Sequence, residues 1–387
     1  MERRPTCNGI GAALHCLPRA ASWFPQGPRC KDSPGRPVSP FIAITRKGIA
    51  VPDRALSAAY GLMLLLMAML VPNGAALAER LNGFDVGGAL VPLAEIRHGG
   101  PAKDGIPAID RPRFVKAAEA RFLDDGAPVL GLQLHGEARA YPIAILNWHE
   151  VVNDRIGPDA VAVTFCPLCG SGMAFRAGSS RVPRTFGVSG LLYNSDVLLY
   201  DRETQSLWSQ LLTRAISGPR KGETLEMLPV SHTTWRDWRG RHPRTRVLSP
   251  DTGFARDYSA DPYESYARSE SLAFPVSARS RSFHPKERVI GLALDGARKA
   301  YPFAELDASP RPFVDRVGGR TVRVEFDAGN RTGRVLDEAG REIPTVIAFW
   351  FAWFAFHPDT EVHRAAGAPG CKDCAPAAVP SMTAPPR

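Results

Sequence analysis

From about residue 129 apolar and polar positions alternate with the two-residue period of half-buried strands. Val129-Leu-Gly-Leu-Gln-Leu134 and Glu137-Ala-Arg-Ala-Tyr141 flank a Gly-containing turn, so the pair predicts a hairpin. Tyr141-Pro142 follows, and Ile143-Ala-Ile-Leu-Asn-Trp-His-Glu-Val-Val152 changes to the spacing of a short helix. Val161-Ala-Val-Thr-Phe165 returns to strand alternation, and Gly172-Met-Ala-Phe-Arg176 is a further short strand. Cys166-Pro-Leu-Cys-Gly170 falls between these two runs and is placed in a hairpin turn.

The same succession returns about 160 residues later. Val129 to Pro142 aligns with Val289 to Pro302, with eight of 14 positions identical where roughly one is expected by chance. Asn153-Asp-Arg-Ile-Gly157 then faces Val314-Asp-Arg-Val-Gly318, and Val161 to Phe165 faces Val322-Arg-Val-Glu-Phe326. A fixed-period match of this length predicts an internal duplication, with repeat cores at 129–176 and 289–337. The second copy has Pro310 opposite His149, Arg311 opposite Glu150 and Asp327 opposite Cys166. The imidazole and thiols are missing together from the half that keeps the strand pattern, so the chemistry is expected on the first copy. The fold class expected is α+β, mainly β, with two β-rich units packed as one body over residues 111–364. Between the copies, runs at 184–189, 195–200 and 206–212 are strand-like, and Thr233 to Trp238 forms a short helix with Thr233 as N-cap. Residues 79–110, rich in Gly and Pro, are expected to lie over the surface.

The N-terminal region changes the charge picture. Arg54, the apolar run Ala55 to Val71 and Ala76-Leu-Ala78 form a charged start, an apolar core and a small-x-small cleavage site. That is the pattern of a secretory signal peptide over residues 51–78, and its apolar run is shorter than the roughly 20 residues that span a bilayer. Residues 1–50 precede it as an extension, which places the expected translation start near Val51 and the mature N-terminus at Glu79. Residues 1–78 hold nine of the 48 Lys/Arg and three of the 39 Asp/Glu. The remainder is nearly balanced, so the formal +9 is no argument for a nucleic-acid partner. The expectation is a periplasmic or secreted protein without a stable membrane span, its partner a small molecule or an envelope protein. From 365 the chain turns to Ala, Pro and Gly, the composition of a disordered tail.

Seven cysteines are present, and four lie beyond the export segment in two C-x-x-C pairs, Cys166/Cys169 and Cys371/Cys374. In an oxidising compartment such pairs form disulfides unless a metal or a reducing partner holds them. Pro and Gly in a Cys-Pro-x-Cys-Gly turn between strands bring both sulfurs toward one ion, as in zinc knuckles. Zinc or copper are the metals considered, since soft thiolates accept either. His149 is the first histidine expected to join as a ligand, followed by His232 and His357. Metal-free thiol–disulfide exchange, with Cys166 attacking and Cys169 resolving, and a structural disulfide in a binding module stay open beside it. Asn194, Asp196, Asp201 and Gln210 cluster polar groups among apolar ones and are candidates for a pocket, the two aspartates for catalysis. Asp201-Arg-Glu-Thr204 equally suits a plain hairpin turn. Walker, dinucleotide, His-Glu-x-x-His and Gly-x-Ser-x-Gly motifs are absent from the sequence.

Asn147-Trp-His-Glu-Val-Val-Asn153, Thr164-Phe-Cys-Pro-Leu-Cys-Gly-Ser171, Phe186-Gly-Val-Ser-Gly-Leu-Leu-Tyr-Asn-Ser-Asp196, Ser206-Leu-Trp-Ser-Gln210, Leu228-Pro-Val-Ser-His-Thr-Thr-Trp235 and Ala355-Phe-His-Pro-Asp-Thr360 resemble the bacterial and archaeal family known as domain of unknown function 3179. The resemblance covers roughly residues 110–363. It implies an exported, single-family chain and brings no settled activity with it.

Overall fold

The structure, a computed structural model, describes residues 79–179 and 181–365. The expected extension and signal peptide at 1–78, with Cys7, Cys16 and Cys30, and the expected tail with Cys371/Cys374 lie outside the described residues. Among the described residues no helix is long and apolar enough to cross a membrane. The architecture is mainly β with a few short helices, an α+β fold.

An eight-stranded sheet forms the backbone of the fold. Its order is Glu361–Val362, Ala297–Pro302, Arg288–Leu294, Val346–Phe349, Ser171–Ser179, Asp159–Cys166 and Val151–Ile156, with Glu226–Leu228 also pairing Ser171–Ser179. Alternation explains why this sheet is buried on both faces. Val161, Val163 and Phe165 of one strand pack with Leu130, Leu132, Tyr141 and the helix residues Ile145 and Leu146. Ala162 and Cys166 of that strand face the other way, toward Phe186, Val188, Val197, Leu199 and Trp208. These last residues belong to a five-stranded sheet ordered Arg214–Ser217, Leu207–Ser209, Asp196–Asp201, Phe186–Tyr193 and Ile96–His98. The thiols therefore lie in an interior layer between two sheets, where apolar burial is the main stabilising term.

The two aligned hairpins share one register. Val129 pairs Pro142 and Leu134 pairs Glu137; Val289 pairs Pro302 and Leu294 pairs Ala297. Each has a glycine under a tryptophan. A Cβ on Gly131 would lie 2.2 Å from the Trp238 ring, and one on Gly291 would lie 2.2 Å from the Trp353 ring. Tyr141 donates to Asp154 at 2.6 Å, and Tyr301 donates to Asp315 at 3.0 Å. Both tryptophans donate to a threonine hydroxyl at 2.9 Å, Trp238 to Thr245 and Trp353 to Thr360.

Three local expectations are corrected. The first helix is Ile143–His149 rather than a run to Val152, because Glu150 takes a left-handed conformation (φ 57°) and the chain enters the strand Val151–Ile156. Thr234, not Thr233, caps the helix Trp235–Arg241, its hydroxyl accepting from the Asp237 amide. Residues 79–110 are not simply a surface segment. Ile96–His98 extends the five-stranded sheet, and Phe84, Val86, Ile96 and Ile109 are buried. Their apolar side chains are too widely spaced to show a period, yet each reaches the core.

Candidate thiol–carboxylate site

The Cys turn is a tight hairpin end. Cys166 pairs with Ser171 across the strands, and the Cys169 amide donates to the Cys166 carbonyl at 3.2 Å. Gly170 is left-handed (φ 60°), and a Cβ there would press on the Phe349 ring at 2.9 Å, so a side chain is excluded twice over. Facing the turn is a second hairpin end, in which Tyr193 pairs with Asp196 around a two-residue turn, Asn194 and Ser195, both left-handed. That turn aims the Ser195 carbonyl at the sulfurs, and both thiols donate to it, Cys169 at 3.4 Å and Cys166 at 3.8 Å. It also brings in a carboxylate: Asp196 and the two cysteines each offer one ligand atom, and these atoms lie within 4.8 Å of one another. All three residues are buried.

Asp196 is satisfied on one side only. Its Oδ2 accepts from the Leu211 amide at 3.0 Å and from the Ser209 hydroxyl at 3.4 Å. Oδ1 is buried and has no hydrogen-bond partner. Buried polar atoms are nearly always paired, so an orphaned carboxylate oxygen beside two sulfurs is an exception that needs a cause. Burial raises the Asp196 carboxyl to about 7. The Cys166 and Cys169 thiols are pushed up chiefly by the same burial.

Gln210 ties the two hairpins together. It accepts from the Ser171 hydroxyl at 2.7 Å and donates to the Thr164 hydroxyl at 2.8 Å, so it grips both strands of the Cys hairpin from the opposite sheet. Asn194 accepts from the Ser277 amide at 2.7 Å and donates to the Ala355 carbonyl at 3.4 Å. Both act as braces around the site rather than as groups open to a ligand. Asp201 is elsewhere. It caps its own turn through the Thr204 amide and hydroxyl and accepts from the Trp208 indole at 2.8 Å, which is the plain hairpin role.

No histidine joins the cluster among the described residues. The nearest in sequence, His149, is fully buried, but Nδ1 contacts the Pro107 carbonyl at 2.7 Å and Nε2 the Tyr258 hydroxyl at 2.7 Å. A neutral imidazole has one donor and one acceptor, and both are used. His232 lies in the strand Ser231–Thr234, edge-on to Phe165, and burial drives its basicity well below normal. The His357 ring lies tilted against Trp353 with centroids 4.2 Å apart, just as His242 lies tilted against Trp238 at 4.1 Å, a packing role. Asp196, rather than any of the three expected histidines, is the residue that lies with the two cysteines.

Glu150 is the group the linear pattern undervalued. It is nearly buried, and desolvation, followed by the nearby Asp196 charge, lifts its carboxyl to about 8. The only signal for it in the sequence is the Arg311 that stands opposite it in the aligned run. On the covering side, the Lys286 ammonium is near enough for the Cys169 charge to act on it. The ammonium donates to the Ser269 and Ser271 carbonyls and sits 3.8 Å over the Tyr266 ring, while burial lowers it to about 8. The surface cavity of about 380 Å³ around Ser231, Arg241, Arg311 and Arg334 includes none of these residues.

The protein belongs to the DUF3179 family. The family model, described as a protein of unknown function, matches residues 103–360 and so spans every residue of the site. Neither the curated proteins nor the solved structures contain a match to the chain. Membership in DUF3179 thus confirms the resemblance seen in the motifs and leaves the chemistry to be argued from the geometry.

Proposed function

We propose that this chain is an exported metal-site protein in which Cys166, Cys169 and Asp196 hold one ion. The observation that carries the reading is the buried, unpartnered Asp196 Oδ1 beside two sulfurs. An unpaired buried acceptor costs about 1–3 kcal/mol, and a bound cation removes that cost. Two sulfurs and a carboxylate oxygen suit zinc, which accepts both atom types in a tetrahedral set. Copper is the second choice, because a carboxylate oxygen suits cuprous ion less well than thiolate does. Three protein ligands leave one position for water or a substrate atom, as in reactive rather than closed zinc sites. A bound ion would supply Lewis acidity at that position. The chain's own residues position the ligands: Gln210 holds the Cys hairpin, Leu211 and Ser209 lock the Asp196 rotamer, and the Ser195 carbonyl holds both thiols while they keep their protons. Export rests on the pattern of residues 51–78, and an ion would keep two adjacent thiols from pairing in an oxidising space. The matched registers of 129–142 and 289–302 support reading the body as a duplicated unit that carries the site on one copy.

Thiol–disulfide oxidoreductase chemistry is the second reading. It is favoured by one observation: the two thiols lie side by side in one turn, both donating to the Ser195 carbonyl. Complete burial of both sulfurs weighs against it. Metal analysis of the purified full chain, with zinc titration after reduction and chelation, separates the readings. One zinc or copper per chain, absent from Cys166→Ser and Asp196→Asn, supports the metal site. A metal-free chain whose two thiols cycle at a defined potential supports exchange and ends the metal proposal.

A further inference from the structure

Residues 250–287 run from the strand Arg246–Leu248 to the strand Arg288–Leu294 with one four-residue helix, Glu264–Ala267, along the way. Connections of this length inside a compact body are uncommon and are often lids. Among the described residues, no backbone–backbone hydrogen bond links 251–284 to the rest of the protein. Side chains of the body hold this strap instead, and they come from the two segments that flank the thiols. Asn147 donates to Asp261 at 3.0 Å, the Trp148 indole to the Ala260 carbonyl at 3.2 Å, and His149 meets the Tyr258 hydroxyl at 2.7 Å. Ser195 donates to the Phe274 carbonyl at 2.9 Å, and Asn194 accepts from the Ser277 amide. Three successive residues of the Asn147-Trp-His motif are therefore spent on one covering segment.

The strap is what seals the site. Leu272 and Val276 pack on the apolar cluster that contains both cysteines, and the Tyr263 and Tyr266 hydroxyls are raised first by burial and then by nearby acidic groups, the thiols among them. Lys286 closes the strap on itself through the Ser269 and Ser271 carbonyls. The Tyr266 hydroxyl is buried with no partner, so the closed position leaves one polar group unsatisfied that lifting would hydrate. Cys166 is 1% exposed and Cys169 0%, so anything that reaches them must displace a covering element. The sheets on the other sides are held by ladders, whereas the strap meets the body through backbone hydrogen bonds only at its C-terminal end, where the Pro285 and Glu287 carbonyls accept from the Phe351 and Trp350 amides, and through side-chain contacts elsewhere.

We propose that residues 250–287 are a lid over the thiol–carboxylate site, latched by Asn147, Trp148, His149, Asn194 and Ser195, and that its lifting gates access to Cys166 and Cys169. This names the control of the site proposed to bind metal, yet it stands or falls without any ion. The experiment is alkylation of the reduced, chelator-treated full chain with iodoacetamide, read at Cys166 and Cys169 by peptide mass spectrometry. Tyr258→Phe and Asp261→Ala each remove one latching hydrogen bond from the strap side. Labelling should quicken about fivefold in either variant, the factor for a typical net hydrogen bond. Below the unfolding transition the wild-type rate should change little with urea, since lifting a strap exposes little surface compared with global unfolding. Rapid labelling of the wild type, unchanged rates in both variants, or a urea slope equal to that of global unfolding would each overturn the lid. A chain that takes no metal but passes this test keeps the lid and discards only the metal reading.

Discussion

Asp196→Asn should stabilise the metal-free protein while abolishing metal binding, and the size of the gain follows from the site. The folded carboxyl titrates at about 7 against a usual 3.8, mainly because it is buried. The native state therefore holds a proton that the unfolded chain has released across that window. For a raised carboxyl, stability is fully present below the unfolded value, falls as pH rises toward the folded one, and stays low above it. At about 1.4 kcal/mol per pH unit, the cost at pH 8 has a ceiling of about 4 kcal/mol. Asparagine cannot ionise and keeps an oxygen for the Leu211 amide and the Ser209 hydroxyl. Allowing for imperfect replacement, the variant should gain about 2 kcal/mol at pH 8, and more than half of that gain should vanish at pH 5. Urea unfolding of the reduced, chelator-treated proteins at both pH values measures it. Adding zinc should reverse the order, since only the wild type gains from ligand binding to the native state. A variant less stable than the wild type at pH 8 without metal, or a difference that does not depend on pH, would refute the reasoning.

Gln210→Leu should cost about 2–3 kcal/mol in urea unfolding, because it leaves the Thr164 and Ser171 hydroxyls without their partner in a dry interior. Gly131→Ala and Gly291→Ala should each cost about 1–3 kcal/mol by overpacking, since a methyl group at either place meets a tryptophan ring at 2.2 Å; calorimetric melting would show it. His149→Ala should lower stability by about 2–4 kcal/mol through the removal of two hydrogen bonds and the opening of a cavity while leaving metal stoichiometry unchanged. Loss of metal in a folded His149→Ala protein would return His149 to the ligand set.

The strands and the Cys hairpin are legible in the sequence because alternation and a Pro/Gly turn are local signals. The fold class follows from them, and the register of the two aligned hairpins agrees with the repeat seen in the residues. What sequence order does not show is which turn faces the thiols. His149 looks closest because its helix leads into the Cys strand, but a left-handed Glu150 ends that helix and the imidazole settles against Pro107 and Tyr258. Asp196 arrives from a separate sheet, through a two-residue turn whose left-handed Asn194 and Ser195 are visible only in three dimensions. Asp201 shares its strand and its polarity, yet five residues further along the side chain serves a different turn. The strap at 250–287 has no period at all, so its place over the site is not readable from the chain.

Charge balance links the site, the strap and the proposed ion. Two thiols, Asp196 and Glu150 are four acidic groups, all buried, and the Lys286 ammonium is near enough for the Cys169 charge to act on it. With nothing bound, burial raises all four acids, so the cheapest state is mostly protonated. A divalent ion that took both thiolates and the Asp196 carboxylate would leave one excess negative charge. Lys286, clamped by two strap carbonyls, offsets it if Glu150 keeps its proton. Lys286 lies between Pro285 and Glu287, whose carbonyls accept from the Phe351 and Trp350 amides, so lifting the strap would take away its Ser269 and Ser271 carbonyl partners and leave the ammonium with the body.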